Sequence, residues 1–271
     1  MDDEVRTMEP IELLFERDGL PRFELPASLA KSYGGDFGVA RPALVANFVA
    51  SADGVVALPG VGESGSVVSG NSEPDRFVMG LLRAAADAVL IGAGTFAAGA
   101  GELWHPEAAF PAARDAFVDL RTHLGLRPHP LLVVVTASGN IDVEQPALRD
   151  SLVVTSEQAE AHLRGKLPSR ARIAVLDNQT FPGGALLDLL HAQGLQVILS
   201  EGGPTLVGHL LQDGLVDELF VTRSPRLFGR RPGDGRKSLV EGADLGGRSM
   251  NLLSARRHDS HLFLRYALVN V

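Results

Sequence analysis

Residues 196–211 constrain the fold more than any other part of this chain. They begin with an apolar run that ends at Ser200, continue through Glu201 and a diglycine, and close with a second apolar run at helical spacing. This order predicts a buried strand, a tight turn and the start of a helix. The turn then lies at the carboxyl end of a strand, where ligands bind in α/β sheets.

The turn at residues 202–206 has the chemistry of an anion-binding site. Gly202 and Gly203 carry no Cβ, so a bulky anion can approach their backbone N–H groups. Pro204 suits the first helical turn, where its missing N–H would have had no partner. Free N–H groups and the positive end of the helix dipole then favour a phosphate, such as that of a nucleotide. An ordinary strand-to-helix turn is the alternative interpretation.

Two other phosphate-binding motifs are excluded. Gly203 and Gly208 have the spacing of a P-loop, but His209 and Leu210 occupy the positions of its Lys and Ser/Thr. Segment 92–97 lacks the third glycine of the dinucleotide fingerprint. The sequence therefore predicts neither ATP chemistry nor a standard Rossmann domain.

Composition narrows the classes of function. The chain has 271 residues, of which 45% are hydrophobic, enough for the core of one α/β domain. A formal net charge of −8 argues against nucleic-acid binding, which needs clustered Lys and Arg. The chain has no cysteine, which excludes disulfides, a thiol nucleophile and a thiolate metal site. No segment approaches the ~20 apolar residues that span a membrane, so we expect a cytoplasmic protein.

Predicted strands and helices alternate along the chain. Strands are predicted at 44–50, 88–91, 131–136, 152–155, 173–176 and 218–222, and helices near 77–85, 112–124, 156–166 and 185–193. This alternation predicts an α/β fold in which a central, mostly parallel sheet has helices on both faces. Two strands within 252–269 are expected to add an antiparallel C-terminal hairpin.

Three further segments carry local expectations. Residues 1–41 show no sustained periodicity and are expected to be an extension packed on a domain that spans 42–271. Residues 54–70 are expected to be a glycine-rich loop that covers a ligand. Ser72 and Asp75 resemble a capping pair at the start of the helix near 77–85.

Three motifs together resemble the pyrimidine reductase family. They are ASADG at 50–54, LRAAADAVLIGAGT at 82–95 and EGGPTL at 201–206, in the family's order and spacing. The best-known member is the C-terminal domain of the bifunctional riboflavin-biosynthesis enzyme, whose fold is dihydrofolate-reductase-like. The resemblance implies an NADPH-dependent reductase of the 5-amino-6-(5-phosphoribosylamino)uracil reductase type, acting on a small heterocyclic or ribosylamino-pyrimidine substrate. It also implies a homodimer.

The resemblance places the cofactor across the carboxyl ends of the central strands. The residues it assigns to NADPH are Ala50, Gly92, Gly94, Thr95, Ser138, Gly202, Gly203, Pro204, Thr205 and Leu206. The run from Gly202 is also the turn that residue chemistry alone predicts as a phosphate site, so two independent arguments reach it. Ala137 stands where many relatives have Arg.

The substrate side departs from the family's pattern. Residues 99–106 replace a stretch that carries an acid and an arginine in the bifunctional enzymes, and Asn47 replaces a frequent lysine. Arg83 and Glu201 are retained. The substrate-binding candidates are Asn47, Arg83, Leu103 and Trp104.

Three of these features also have a structural interpretation. Arg83 either grips a substrate phosphate or lies on a solvated helix face. Trp104 either stacks on a flat ring or packs in the core. The basic run from Arg223 to Lys237 is expected to be an exposed loop, with a role in holding an anionic substrate as the alternative.

Catalysis of hydride transfer depends mainly on positioning the two reactants. A carboxylic acid whose pKa is raised by burial could add a proton, and Asp53 and Glu201 are the catalytic candidates. For Asp53 the alternative is a turn residue that accepts backbone N–H bonds. His105, and the pair His258 and His261, show no metal-ligand spacing with an acidic third ligand, so no metal is expected.

Two alternative functions stay open because the phosphoribosyl contacts are lost. A dihydrofolate or pterin reductase would turn over dihydrofolate but not the aminouracil ribosyl phosphate. A non-catalytic NADP-binding protein would bind NADPH without oxidising it.

Overall fold

The computed structural model describes residues 8–62, 64–176 and 183–269. The strands are β1 Glu12–Glu16, β2 Ala43–Ala50, β3 Ala88–Gly92, β4 Leu131–Thr136, β5 Leu152–Thr155, β6 Arg172–Val175, β7 Val197–Ser200, β8 Glu218–Arg223, β9 Met250–His258 and β10 His261–Leu268. The helices are α1 Ala27–Tyr33, α2 Ser64–Ser69, α3 Glu73–Ala85, α4 Ala93–Ala98, α5 Pro106–Ala109, α6 Arg114–His123, α7 Glu157–Leu163, α8 Gly183–His191 and α9 Pro204–Gln212. None of these helices is long and apolar enough to cross a membrane.

The strands form one sheet in the order β1-β9-β10-β8-β2-β7-β3-β4-β5-β6. Pairing is parallel from β8 through β2, β7, β3, β4 and β5 to β6. It is antiparallel between β8 and β10, β10 and β9, and β9 and β1. The predicted mostly parallel sheet with an antiparallel C-terminal hairpin is confirmed.

Two hydrophobic cores lie on opposite faces of this sheet. Along β2, Ala43 and Val45 belong to the first core, while Leu44 and Ala46 belong to the second. Apolar side chains of α1, α3 and α6 fill the first core, and those of α8 and α9 fill the second. Parallel strands covered on both faces need apolar residues at every position, which is why they appear as continuous hydrophobic runs in the sequence.

Helix α3 carries the residues that matter most for the site, and both of its ends are capped by side chains. The Ser72 hydroxyl accepts a hydrogen bond from the Asp75 N–H at 3.3 Å, as the predicted capping pair requires. At the other end, Nη1 of Arg121 donates to the carbonyls of Arg83, Ala84 and Ala86 at 2.8–3.1 Å. These bonds satisfy carbonyls that the helix itself leaves without partners.

The structure differs from the sequence-based expectation in one loop and adds detail to the N-terminal segment. Helix α2 occupies part of the 54–70 segment expected to be loop. Residues 8–41 contribute the edge strand β1 and buried side chains, including Leu29, Tyr33 and Phe37, to the common sheet and first core. The domain boundary at residue 42 stays a prediction.

Candidate active site

A cleft with a volume of ≈ 1780 Å³ opens at the carboxyl ends of β2, β3, β4 and β7. Pairing of Ser200 with both Ala46 and Leu90 brings β2, β7 and β3 side by side at this edge. Sites for a single small molecule usually measure about 300–1,000 Å³. The cleft therefore has room for a dinucleotide and a second ligand together.

Two glycine-rich turns form one wall of the cleft, which we call the glycine wall. They contribute Gly92, Gly94, Thr95, Gly202, Gly203, Pro204, Thr205 and Leu206 to its lining. The Gly92 N–H donates to the Gly202 carbonyl at 3.2 Å, which holds the turns together. Gly202 has φ +129°, which favours glycine, and a Cβ there would lie 3.0 Å from Oγ1 of Thr95. The structure thus brings together eight of the ten predicted cofactor residues.

The remaining two predicted cofactor residues, Ala50 and Ser138, do not line the cleft. Ala50 is buried in the second core, because β2 runs past the end of β7 and pairs there with Arg223 of β8. Ser138 is exposed beyond β4, and its hydroxyl accepts a bond from the Asn140 N–H at 3.3 Å. Ala137 lines the cleft in its place.

An ion-pair cluster of Arg83, Glu102 and Glu201 also lines the cleft. Nε of Arg83 donates to Oε1 of Glu201 at 2.8 Å, and Nη2 donates to Oε2 at 2.6 Å. Nη2 also donates to Glu102 at 2.6 Å, and Nη1 donates to the His105 carbonyl at 3.3 Å. The Arg83 side chain is only 1% exposed, so the interpretation as a solvated helix-face residue is wrong.

The electrostatics of this Arg83 cluster argue against a phosphate grip. Burial alone would lower the pKa of Arg83, but the carboxylates of Glu201 and Glu102 outweigh it and raise that pKa. Burial raises the pKa of Glu201, and the facing guanidinium of Arg83 works against that rise. One cation and two anions leave a net charge of −1. Such a formal charge disfavours a phosphate, and four of the five N–H groups of Arg83 already donate within the cluster and to the His105 carbonyl.

Comparison with known proteins decides the family. The model of the RibD C-terminal domain matches residues 42–263. The chain belongs to the RibD C-terminal domain family. This confirms the family predicted from the three motifs, and with it the class of nicotinamide-dependent reductase.

Among curated relatives, this RibD C-terminal domain is similar to two archaeal enzymes named 2,5-diamino-6-ribosylamino-4(3H)-pyrimidinone 5′-phosphate reductase. The one from Archaeoglobus fulgidus is 30% identical over 194 residues, which cover 70% of this chain and 84% of the relative. The one from Methanothermobacter thermautotrophicus is 29% identical over 206 residues, covering 74% and 85%.

Among solved structures, a pyrimidine reductase-like protein from Corynebacterium diphtheriae has the same fold. Its TM-score is 0.66 at 22% identity, and the match covers 92% of this chain and 96% of that one. The predicted α/β fold with a mostly parallel sheet is therefore shared with a solved pyrimidine reductase-like protein.

Asp53 is positioned as a turn residue rather than as a proton donor. Its carboxylate accepts bonds from the Ser51 hydroxyl at 2.5 Å and the Gly229 N–H at 2.6 Å. The Ser51 bond in particular lowers the pKa of Asp53 to about 2, so the group is ionised at neutral pH. It does not line the cleft. These surroundings favour the turn alternative for Asp53 over the role of general acid, which stays a prediction.

Asp75 is the acidic residue that the sequence analysis did not identify as functional. It lines the cleft from the first turn of α3, and its carboxyl is hydrogen-bonded to Thr222 of β8. Burial raises the pKa of Asp75 to about 6, and the Thr222 bond and the nearby His261 only partly offset this. An acid with that pKa is partly protonated near neutral pH and suits proton donation. The sequence analysis identified Asp75 only as the partner of Ser72 in a capping pair.

The remaining substrate candidates lie at the cleft with different environments. Asn47, Leu103 and Trp104 all line it. The Trp104 indole is only 2% exposed and stacks on Phe96 at a centroid distance of 5.9 Å, so most of its surface is committed to the first core. Glu102, which the sequence analysis passed over, supplies an acid within the divergent 99–106 stretch.

Proposed function

We propose that this chain is an NADPH-dependent reductase that acts on 2,5-diamino-6-ribosylamino-4(3H)-pyrimidinone 5′-phosphate. The observation that carries the proposal is one cleft, in a RibD C-terminal domain, that combines a dinucleotide turn with a titratable acid. The named substrate is that of the two archaeal relatives. It refines the aminouracil substrate expected from sequence, from which it differs in the pyrimidine ring.

The proposed cofactor position follows from the shape of the glycine wall. The pyrophosphate would lie against the turn from Gly202 to Leu206, where the N-terminus of α9 supplies N–H groups and positive potential. When bound, the dinucleotide supplies the hydride for the anomeric carbon of the ribosylamino group. The structural support is the close packing of the two glycine-rich turns, where a Cβ at Gly202 would lie 3.0 Å from Oγ1 of Thr95.

The proposed contribution of the chain to the reaction is one proton. Hydride addition at the anomeric carbon breaks its bond to the ring oxygen, and that oxygen must then take a proton. Arg83 binds both carboxylate oxygens of Glu201, whereas burial raises the pKa of Asp75 to about 6, so we assign the proton to the Asp75 carboxyl group. The role of Glu201 as a proton donor stays a prediction. Both of its carboxylate oxygens accept hydrogen bonds from Arg83, which disfavours a proton on either oxygen.

The substrate phosphate needs cations other than Arg83. Arg76 and Lys237 both line the cleft and are exposed. Lys237 ends the basic run predicted as an exposed loop, and its backbone pairs with Ala57 at the cleft. We therefore assign the phosphate to this pair of cations.

Replacing Arg76 with Gln is expected to raise the KM for the phosphorylated substrate about 10-fold or more. A hydrogen bond to a charged group contributes about 1.5–3 kcal/mol, and ~1.4 kcal/mol is a factor of ten. Steady-state kinetics with the substrate and its dephosphorylated form check this, because only the former should respond. Arg164→Gln, at a surface pair with Glu160, is the control. Equal effects on both substrates would contradict the assignment.

The function is tested by steady-state assays with NADPH and with NADH. The acceptors are the diaminopyrimidinone ribosyl phosphate, the aminouracil ribosyl phosphate and dihydrofolate. We expect the highest kcat/KM with the first acceptor and NADPH. Turnover of dihydrofolate alone would select the pterin alternative, and NADPH binding without any oxidation would select the non-catalytic one.

We also propose a homodimer formed through the antiparallel end of the sheet. Phe15, Leu252 and Leu262 are exposed apolar residues of β1, β9 and β10. The strand registers place them on one face of the sheet, together with Leu264 and Tyr266. An exposed apolar patch on a sheet is typical of a protein interface. The cytoplasmic location stays a prediction.

Light scattering in solution is expected to give the mass of two chains. Leu262→Glu should give the mass of one chain, since a carboxylate would be buried at the interface. Val118→Glu, at an exposed apolar position on α6, is the matched control and should leave the mass unchanged. A monomeric wild-type chain would overturn the dimer.

A further inference from the structure

His105, Glu107 and His129 form a compact group beside the cleft. Among the described residues, this is the group of His, Asp and Glu side chains with ligand atoms within 4.8 Å of one another. All three side chains are partly buried. His129 lies far from the other two in the sequence, so the spacing of histidines could not reveal the group.

The distances in the group match those between ligands of a zinc ion. Oε1 of Glu107 lies 3.7 Å from Nδ1 of His105 and 3.5 Å from Nδ1 of His129. Zinc bonds to His nitrogen and carboxylate oxygen measure about 2.0–2.2 Å. At tetrahedral angles, two such ligand atoms lie roughly 3.4 Å apart. The observed separations exceed this value by a few tenths of an ångström and are too long for hydrogen bonds.

The ring orientations define the movement that binding requires. The two imidazoles are stacked at a centroid distance of 3.8 Å with an interplanar angle of 6°. Lone pairs lie in the ring plane, so those of parallel rings point side by side rather than toward one ion. Metal binding must therefore rotate at least one ring. The His129 side chain is 43% exposed and has the space to turn.

We propose that His105, Glu107 and His129 bind one divalent transition-metal ion, with zinc as the best match to two imidazoles and a carboxylate. Two His and one Glu leave a fourth position of the tetrahedron for water. The partial exposure of all three side chains gives solvent access to that position. Calcium and magnesium are disfavoured, since these ions prefer sets of oxygen ligands.

The location of the site connects it to the cleft. The His105 carbonyl accepts a bond from Arg83, and Pro106 and Ala109 of α5 are buried beside α3. Only Pro130 separates His129 from β4. A bound ion would tie the segment that follows Trp104 to the start of β4. It would thereby rigidify the wall that carries the Arg83 cluster, without contacting the reacting atoms.

The test is calorimetric titration of the full, metal-stripped chain with zinc chloride, in parallel with melting-temperature measurements. We expect one site per chain and a rise in melting temperature at saturation, because the ion binds the folded state. His129→Gln and Glu107→Gln should each weaken zinc binding at least about tenfold. His123→Gln removes another histidine close to a glutamate, Glu24, and is the matched control.

A spectroscopic readout separates the proposed site from scattered surface histidines. Cobalt added in place of zinc should give the visible absorption of a tetrahedral ion, and His129→Gln should lose it. Melting of the metal-free variants shows whether they fold as the wild type does. Equal zinc affinity in the wild type and His129→Gln, or loss of affinity in His123→Gln alone, would overturn the proposal.

Discussion

Asp75→Asn is expected to lower kcat by about 100-fold or more while NADPH affinity stays unchanged. General acid catalysis contributes typically 10²–10⁴-fold, and Asn keeps the shape and the hydrogen bond to Thr222 but carries no acidic proton. Steady-state kinetics give kcat, and calorimetry gives the affinity for NADPH. Glu73→Gln, on the exposed side of the same helical turn, is the matched control and should retain kcat.

The pH dependence gives a second, independent readout of Asp75. A donor must be protonated, so wild-type kcat should fall as pH rises through about 6, and Asp75→Asn should lose this decline. The raised pKa also means that the fold favours protonated Asp75. Its stabilising effect is present at acid pH and lost as pH rises through about 6. At pH 8 the variant should melt no lower than the wild type. Retained kcat in a folded variant would remove Asp75 from the mechanism.

The sequence predicted the strands of the parallel sheet well, for a physical reason. The predicted strands 131–136 and 152–155 coincide with β4 and β5. Both strands are buried on two faces, so they appear as uninterrupted apolar runs that turn residues delimit. The end of β6 and the helix within 54–70 were less well predicted, because those segments are only partly buried and their patterns are weaker.

The sequence also predicted the glycine wall of the cleft. It did not predict the side-chain wall, which Asp75 and the Arg83 cluster form. A phosphate cradle is built from backbone, and its requirements fall on consecutive residues such as Gly202 and Gly203. The Arg83 cluster joins residues far apart in the sequence, and Arg83 alone on an amphipathic helix has the pattern of a surface residue. Asp75 likewise depends on Thr222 of β8. Local patterns cannot show such pairings.

The two walls divide the work of the proposed reaction. The glycine wall would hold the pyrophosphate through backbone groups that do not titrate, so this contact should not depend on the protonation of a side chain. The side-chain wall holds two acids whose pKa burial raises, Asp75 and Glu201, and the buried cation Arg83. Protonation of one of those acids, Asp75, would then govern turnover alone. This separation explains why variants in the two walls should affect different measured quantities.

Gly203→Asp is expected to weaken NADPH binding at least about 100-fold without unfolding the protein. Gly203 is the N-cap of α9 with φ −55°, a conformation open to any residue. Asp is a good N-cap residue, so its carboxylate would bond the N–H groups that a pyrophosphate needs and keep the helix stable. A charge at ~4 Å from the phosphate costs about 4 kcal/mol at an effective dielectric constant of ~20. Calorimetric titration with NADPH measures the loss.

Two further variants test whether the charge of the new side chain, rather than its size or an unspecific effect of adding Asp, weakens NADPH binding. Gly203→Ala adds only a Cβ, which would lie 3.2 Å from Oγ1 of Thr95, so it should weaken binding far less than Gly203→Asp does. Gly184→Asp makes the same chemical change in the first turn of α8, where a Cβ meets open space, and should leave NADPH affinity unchanged. If Gly203→Asp bound NADPH as the wild type does, the pyrophosphate could not lie against this turn. The cofactor would then have to be placed elsewhere in the cleft.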